Sequence, residues 1–304
     1  MIGSSREANR DLALAAHRAS DYTNATTNSA TYRNPERRSY LRDNPASAES
    51  KNSTIHDIYL IAEFDDPKGS GGYGVNIVNA LNCHAFNIWG RNWCQLIGMG
   101  SDIPPETPSN HSCSAFGLHV MAPDPIQTYY SIGFIANSTD CAIYDAEQYD
   151  AIPAGTPNGS GVATNFVEGC RLEDIRIPNL GRTATSEGIL LNNSKNCVVN
   201  RVLIGNAKKA ISTFFTDASF NDPVAPNLIG PDITAIDCDC VISLLGAYAR
   251  VSGFKNVRSK YDVSFGNMNA VHNSIHGHVR SIYSGHGRSE EWYTSMNEVE
   301  VWRD

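Results

Sequence analysis

The sequence predicts an all-β fold built as a solenoid, and three observations lead to this prediction. First, the 304 residues include 28 Asn but only 15 Leu, whereas helical bundles draw heavily on Leu. Second, no apolar run approaches the roughly 18 residues of a membrane-spanning helix. Third, a short apolar pattern recurs along most of the chain, with turn residues between its copies. Because Asn tolerates left-handed backbone dihedrals, its excess indicates a chain that turns often.

The repeated unit is an apolar residue, two variable residues, an apolar residue, any residue, and an apolar or small residue. Its clearest copies lie in residues 170–177 and 197–204. Each copy is too short for a helix and alternates like a strand. The interval between the copies at 115 and 172 is about twice the others, which indicates a missed unit or an insertion. The predicted copies are residues 55–60, 85–90, 115–120, 172–177, 199–204, 233–238, 251–256, 272–277 and 296–301.

A period of roughly 20 to 30 residues is typical of solenoids, in which each rung buries its face on the next. Leucine-rich repeats share this period, but their Leu skeleton is missing, since Ile, Val, Ala, Cys and Phe occupy the apolar positions. Residues of the β-branched type favour strands. The sequence therefore predicts a parallel β-helix over residues 53–304.

The eight cysteines are scattered and include no Cys-x-x-Cys pair, which argues against a disulfide framework and against a zinc site. Several, such as Cys83, Cys170 and Cys197, follow Asn or Gly and precede a strand-like run. We expect them to pack inward as small apolar side chains. No metal or cofactor site is predicted.

Residues 72–88 and 187–204 resemble the coils of the right-handed, pectate-lyase-like β-helix superfamily, which includes pectin-degrading enzymes and bacteriophage tailspikes. The resemblance covers about residues 53–304 and implies a right-handed, single-stranded parallel β-helix. The active-site strings of polygalacturonases do not occur together, and the N-terminus lacks the layout of a secretory signal. Both observations favour the tailspike branch.

The tailspike resemblance implies a homotrimeric virion protein of the phage tail, extracellular after lysis, that binds host surface polysaccharide with or without depolymerising it. Two alternatives stay open at this point. One is a structural or adhesive spike without activity, and the other is a cellular polysaccharide lyase or glycoside hydrolase with the same fold. Fold alone does not separate them.

Residues 1–52 differ in composition from the rest, with a short stretch of helical character followed by Thr, Asn, Ser and Arg. We expect an N-terminal arm, which in tailspikes docks on other tail proteins; a cap over the first rung is the alternative. The net charge is −8 and the basic residues are spread out. These features exclude the basic footprint of a nucleic-acid-binding protein.

Candidate binding residues follow from the alternation of a strand. In an apolar-x-apolar segment the middle residue faces outward, so the repeats predict an outward column. Aromatic rings stack on sugar rings, and charged groups hydrogen-bond hydroxyls; the alternative is that these are ordinary solvent-facing positions. The candidate substrate-binding residues are Tyr59, Trp89, His119, Arg176, Lys255 and His276. The same pattern also placed Leu203, Asp237 and Glu300 in this column.

Glycoside hydrolysis requires two carboxyl groups. Asp237 and Asp239 are two residues apart, and on one strand face they would lie roughly 6.5 to 7 Å apart, which suits an inverting pair. Glu173 and Asp174 are the second candidates. If the enzyme were a lyase, its base would instead be Lys255, Arg176 or His276.

Overall fold

The computed structural model describes residues 48, 50–62, 73–100, 110–124, 128–153, 159–183, 185–215, 222–246, 248–265, 273–282 and 298–303. Every regular element in these residues is a β-strand. Within the same residues no helix is long and apolar enough to cross a membrane. The predicted N-terminal arm, apart from its last few residues, lies outside the described part of the chain.

The strands form two sheets, and every strand pair in both is parallel. Sheet A contains β1 (Ser50–Lys51), β3 (Tyr73–Ile77), β4 (Ala80–Leu81), β6 (Gln95–Met99), β7 (Asn110–His111), β9 (Tyr130–Ala136), β10 (Ser138–Thr139), β12 (Ser160–Glu168), β14 (Glu187–Lys195), β16 (Lys209–Phe214), β19 (Cys240–Leu245) and β21 (Tyr261–Phe265). Sheet B contains β2 (Thr54–Ile61), β5 (His84–Trp93), β8 (Ser114–Pro123), β11 (Ala142–Gln148), β13 (Arg171–Ile177), β15 (Val198–Gly205), β17 (Asn227–Ile229), β18 (Ile233–Ile236), β20 (Ala249–Val257), β22 (Ser274–Ile282) and β23 (Glu298–Arg303).

Successive rungs pair in register over sheet B, for example β5 with β8 and β13 with β15. Sheet A stacks in the same way, with β12 on β14 and β14 on β16. The chain therefore alternates between two parallel sheets as it rises. The predicted all-β parallel solenoid is confirmed, and its topology is consistent with a right-handed β-helix.

Identical inward positions stack to form the core between the sheets. In sheet B one such column contains Ala85, Ala115, Ile143, Leu172 and Val199, all fully buried. The two inward positions of each unit are separated by two residues instead of one, because each strand bends at a left-handed residue. The bend residues with positive φ are Asp57, Asn87, Gly117, Asp145, Asp174 and Arg201. The predicted unit, with its two variable residues, therefore describes a strand with a corner in it.

A second corner, which we call the cysteine corner, joins the short strands of sheet A to sheet B. Its left-handed residues, with φ from 51° to 71°, are Asn52, Asn82, Ser112, Asp140, Gly169 and Asn196. The next residue points inward and donates a hydrogen bond to the carbonyl oxygen two positions earlier, as Cys141 does to Thr139 and Cys197 to Lys195, both at 3.4 Å. Ser53 takes this position in the lowest described rung.

Five of the eight cysteines therefore form one inward column, namely Cys83, Cys113, Cys141, Cys170 and Cys197. All eight cysteines are buried and free. The prediction of inward-packing thiols is confirmed for these residues. The small side chain fills the core, and its S–H group satisfies a backbone carbonyl at the turn.

The strand registers add one missed unit and correct three of the predicted units. The missed unit is β11, in which Ile143, Ala146 and Gln148 occupy the inward positions. The unit at 233–238 is shifted, because Ile233 lies opposite Val202, the second inward position, after one extra residue between Ile229 and Ile233. The units at 272–277 and 296–301 are each shifted by three residues, because Ile275, not His272, lies opposite Val251, and Val299 lies opposite Ile275.

Candidate functional site

The outward side of sheet B carries a column of residues in register along the solenoid, which we call the axial column. Its strands alternate between buried and accessible side chains, whereas strands of sheet A such as β6 are buried throughout. Side chains that meet a ligand are therefore available on sheet B. The axial column contains Tyr59, Trp89, His119, Glu147, Arg176, Leu203, Thr234 and Lys255.

Five of the six predicted binding residues lie in the axial column. His276 does not, because Ile275 lies opposite Val251, so that Arg280, not His276, pairs with Lys255. The backbone of His276 pairs with that of Glu300 in the next rung. Asp237 is also absent from the column, and Thr234 takes its expected place. The binding roles of all these residues stay predictions.

Aromatic rings occupy the lower part of the axial column. The rings of Trp89 and His119 stack with centroids 3.9 Å apart and an interplanar angle of 20°. Tyr149, which directly follows β11, extends this group, since its hydroxyl lies 3.1 Å from Nδ1 of His119 and its ring is nearly parallel to that of Trp89. Tyr59 and Tyr149 are 54% and 42% exposed. The group therefore presents the exposed ring of Tyr59 at its lower end and the edges of the stacked rings above it.

An acid and a base continue the column above the rings. Arg176 Nε lies 3.5 Å from Glu147 Oε1. Burial raises the pKa of the Tyr149 hydroxyl, and the nearby Glu147 carboxylate, which also hydrogen-bonds it, adds to the rise. The phenol therefore stays protonated and can donate a hydrogen bond. Rings, a carboxylate and a guanidinium thus lie within a few rungs of one another.

A second outward column lies on the other side of the bend in sheet B. His56, Phe86, Phe116 and Tyr144 stack face to face, with centroids 4.8 to 5.1 Å apart. Except for the outermost rings, each ring face here is covered by a neighbour. This column therefore has a structural role as a ladder of rings that joins successive rungs.

Asp237 and Asp239 are not on a strand face, which corrects the geometry expected for them. Strand β18 ends at Ile236, and Asp237 is a left-handed corner residue with φ 54°. Arg258 donates to its carboxylate at 2.7 Å, and Arg182 lies 3.3 Å from Asp239. The guanidinium of Arg258 lowers the pKa of Asp237 through its hydrogen bonds. A carboxyl group held ionised in this way is poorly suited to donate a proton to a leaving group.

Glu173 and Asp174 have a similar environment at the bend in β13. Arg201, one rung above, donates to Asp174 at 2.6 and 2.9 Å and to Glu173 at 3.0 Å. These hydrogen bonds lower the pKa of Asp174. Both arginine–aspartate pairs join corner residues of neighbouring rungs, so their geometry is that of rung-to-rung clamps. The catalytic roles assigned to the four carboxylates stay predictions.

Sequence reasoning missed Glu147, which lies in the axial column, and Tyr149, which extends the group of rings in that column. The rung formed by β11 and the following Tyr149 escaped detection because Ala146 and Gln148 occupy inward positions where other rungs have larger apolar residues. The double interval in the repeat was the available signal. Among the described residues, no group of three or more His, Cys, Asp or Glu side chains is arranged to hold a metal ion.

Comparison of the chain with models of known protein families, with curated proteins and with solved structures finds no match. Its fold and its site geometry are therefore the basis for the function proposed below.

Proposed function

We propose that the protein binds a polysaccharide of a host cell surface through the axial column, as the receptor-binding tailspike of a bacteriophage. The observation that supports this proposal is the run of partly or fully exposed rings and charged groups, in register along the solenoid, from Tyr59 to Arg176. Parallel rungs are spaced by roughly 4.8 Å. A chain molecule lying along the column would meet a new side chain at each rung.

The groups in the column suit sugars. Tyr59, with more than half of its surface exposed, offers an apolar ring, while the edges of Trp89 and Tyr149 combine apolar carbon with a polar N–H or O–H group. Trp89 Nε1 lies 3.2 Å from Asn87 Oδ1, so its polar group is already oriented. Arg176 can donate hydrogen bonds to sugar hydroxyl groups, and Glu147 can accept hydrogen bonds from them.

Binding can be tested with Trp89→Ala and Tyr59→Ala on an array of bacterial surface glycans. We expect wild-type protein to retain one class of glycan, and each variant to weaken that binding by roughly tenfold or more, as loss of a stacking aromatic side chain does. Phe86→Ala is the matched control, because it removes an aromatic ring from the same strand but from the structural column. An equal loss in Phe86→Ala would contradict the assignment.

We propose that the protein binds the glycan without cleaving it, because all four predicted catalytic carboxylates are paired with arginines. Incubation of the bound glycan with the protein should produce neither new reducing ends nor the ultraviolet absorbance of an unsaturated uronate. Product formation that disappears in Asp237→Asn or Asp239→Asn would instead support the depolymerase.

Assembly as a homotrimer, attachment to other tail proteins through residues 1–52, and a place in the virion belong to the same proposal. Light scattering at micromolar concentration should give three times the 33.1 kDa chain mass. A monomeric mass would argue for the cellular alternative.

A further inference from the structure

A separate polar group lies at the cysteine corner, at the opposite end of the sheet B strands from Trp89. Ser114 Oγ lies 2.8 Å from Nδ1 of His84, its register partner one rung below. The other nitrogen of the same imidazole, Nε2, lies 3.1 Å from Oδ1 of Asn82. A hydroxyl, an imidazole and an amide therefore form one continuous chain of hydrogen bonds.

The direction of this chain follows from a fourth residue. The Asn82 amide donates through Nδ2 to Oδ1 of Asn52 at 2.7 Å, so its own Oδ1 is free to accept. His84 must then donate from Nε2–H, which leaves Nδ1 unprotonated. Ser114 donates its hydroxyl proton to that nitrogen. The imidazole is thus set in the tautomer that removes a proton from a serine.

Repetition of the fold does not account for this arrangement. The same register column contains Thr54, Ala142, Arg171 and Val198 in other rungs, and none of these continues the hydrogen bonds of the pair. Corner residues such as Asn52 and Asn82 stack in many rungs, whereas the hydroxyl–imidazole contact at this position occurs once in the described stack. A nucleophile and base within 2.6 to 3.2 Å, with the base oriented by a third group, is the usual mark of an activated hydroxyl.

A second hydroxyl–imidazole pair in the same region provides a comparison. Thr139 Oγ1 lies 2.9 Å from Nδ1 of His111, and Asp140 lies 3.6 Å from the same nitrogen. Thr139 is fully buried, while Ser114 is partly accessible. A substrate can therefore reach Ser114 but not Thr139. This difference makes Thr139 a matched control.

We propose that Ser114, His84 and Asn82 form a nucleophile, base and orienting group that hydrolyse carboxylic esters. Ser114 Oγ attacks the carbonyl carbon of the ester while its proton moves to His84 Nδ1. That proton then leaves with the alcohol as the C–O bond breaks, and the acyl group stays on Ser114 as an ester. Water, deprotonated by His84 Nδ1, attacks this ester, releases the carboxylic acid and restores the Ser114 hydroxyl. The balance is ester and water to acid and alcohol.

Two further features are compatible with this chemistry. Ala142, directly above Ser114, has a small side chain, and Arg171 lies one rung higher in the same column. Arg171 is exposed, and its guanidinium has no hydrogen-bond or ion-pair partner among the described residues. It supplies positive charge on the side of Ser114 away from His84. Asn82 orients the imidazole without adding charge, so we expect slower turnover than an aspartate would give.

The test uses the full chain with p-nitrophenyl acetate as substrate and an alkyl fluorophosphonate as covalent probe. Wild-type protein should release nitrophenolate faster than buffer and carry one phosphonyl adduct, located on Ser114 by peptide mass spectrometry. Ser114→Ala and His84→Ala should each lower the rate at least about 100-fold and abolish the adduct. Asn82→Gly should lower kcat more than it changes KM, and Asn82→Asp should raise kcat above the wild-type value.

Thr139→Val should keep both the rate and the adduct, and a far-ultraviolet circular dichroism spectrum like that of wild type should accompany every variant. The proposal is overturned if wild-type protein forms no adduct at Ser114, if Ser114→Ala keeps the wild-type rate, or if Thr139→Val loses as much as Ser114→Ala. The ester contains no sugar, so this result is independent of glycan binding and of Trp89→Ala.

Discussion

At the scale of single residues, the left-handed corners explain why this chain uses so much Asn. Asn52, Asn82 and Asn196 all have φ near 50° at the cysteine corner, and Gly169 replaces them in one rung. Residues with a β-carbon are strained there, while Asn and Gly are tolerated. The high Asn content therefore reflects the need for residues that tolerate a left-handed backbone at the corners.

Replacement of Asn196 tests this explanation. Asn196→Ala should lower the free energy of unfolding by about 1–2 kcal/mol, because alanine pays the left-handed penalty without the local hydrogen bonds of Asn. Asn196→Gly should stay close to wild type, since glycine adopts this conformation without strain. Chemical denaturation of the two variants measures the difference. Equal losses in both would show that the side chain, not the backbone conformation, is what matters.

The pair of Asp174 and Arg201 should affect stability as a function of pH. Arg201 lowers the pKa of Asp174 in the folded protein. The stability from this pair is therefore present above the pKa of the unfolded chain and is lost as the pH falls through the folded pKa. Because both side chains are nearly half exposed, at 45% and 46%, the effect should be modest.

Arg201→Gln tests this pH dependence. Unfolding free energies of wild type and variant, measured from pH 7 down to pH 2, should differ at neutral pH and converge in acid. A difference that stays constant over the whole range would mean that the pair contributes nothing through its charge.

At the scale of elements, three buried asparagines close gaps in the backbone hydrogen bonding. Asn227 accepts from the N–H of Cys197 at 3.0 Å and donates to the carbonyl of Ser194 at 2.7 Å. Asn110 and Asn273 do the same for their lower rungs. In each case the amide replaces a strand neighbour at a turn, where the sheet ladder is interrupted.

Asn227→Leu should therefore be strongly destabilising. It leaves a buried N–H and a buried carbonyl without partners, and each costs about 1–3 kcal/mol. Asn273→Leu should show a similar loss, because it removes the same two hydrogen bonds in a higher rung. Thermal and urea unfolding measure both. A loss below about 1 kcal/mol in both variants would contradict the bridging role.

The cysteine column leads to a prediction about the turn that precedes each of its cysteines. Cys141→Ser should be better tolerated than Cys141→Val, because a hydroxyl can donate to the Thr139 carbonyl, as Ser53 does to Lys51. Valine adds a methyl group and removes the donor, which should cost about 1–3 kcal/mol. Urea unfolding of the two variants gives the order, and a more stable valine variant would rule out the hydrogen bond as the reason for the column.

At the scale of the whole molecule, the solenoid shields its thiols from solvent. All eight cysteines are buried, and burial raises the pKa of Cys94 and Cys240 to about 12. Because the thiolate is the reactive form, Cys94 and Cys240 should be inert in the folded protein, and burial should keep reagents away from the other six thiols.

Titration with a disulfide reagent at pH 8 tests this shielding. We expect almost no reaction before unfolding and eight thiols after addition of guanidinium chloride. Rapid reaction of one or more thiols under native conditions would show that the rungs open locally.

The repeat allowed most of sheet B to be predicted, including Tyr59, Trp89, His119 and Arg176 of the axial column. It failed where local structure departs from the repeat. Pro231 and its neighbours separate β17 from β18, and the pairing of Ile275 with Val251 displaces His276. Ser114 and His84, 30 residues apart in the chain, gave no sequence signal, since their contact exists only when neighbouring rungs stack.

The sequence by itself determined the solenoid, because alternation of apolar residues and frequent turn residues are local properties that each rung repeats. Only the tertiary structure decided which outward side chains meet. Asp174 and Asp237 are paired with arginines one rung away, and His84 is paired with Ser114, through register between strands. Register depends on the number of residues in every turn, so one insertion moves all later partners. The excess of Asn marks where the chain turns, and stacking decides what those turns bring together.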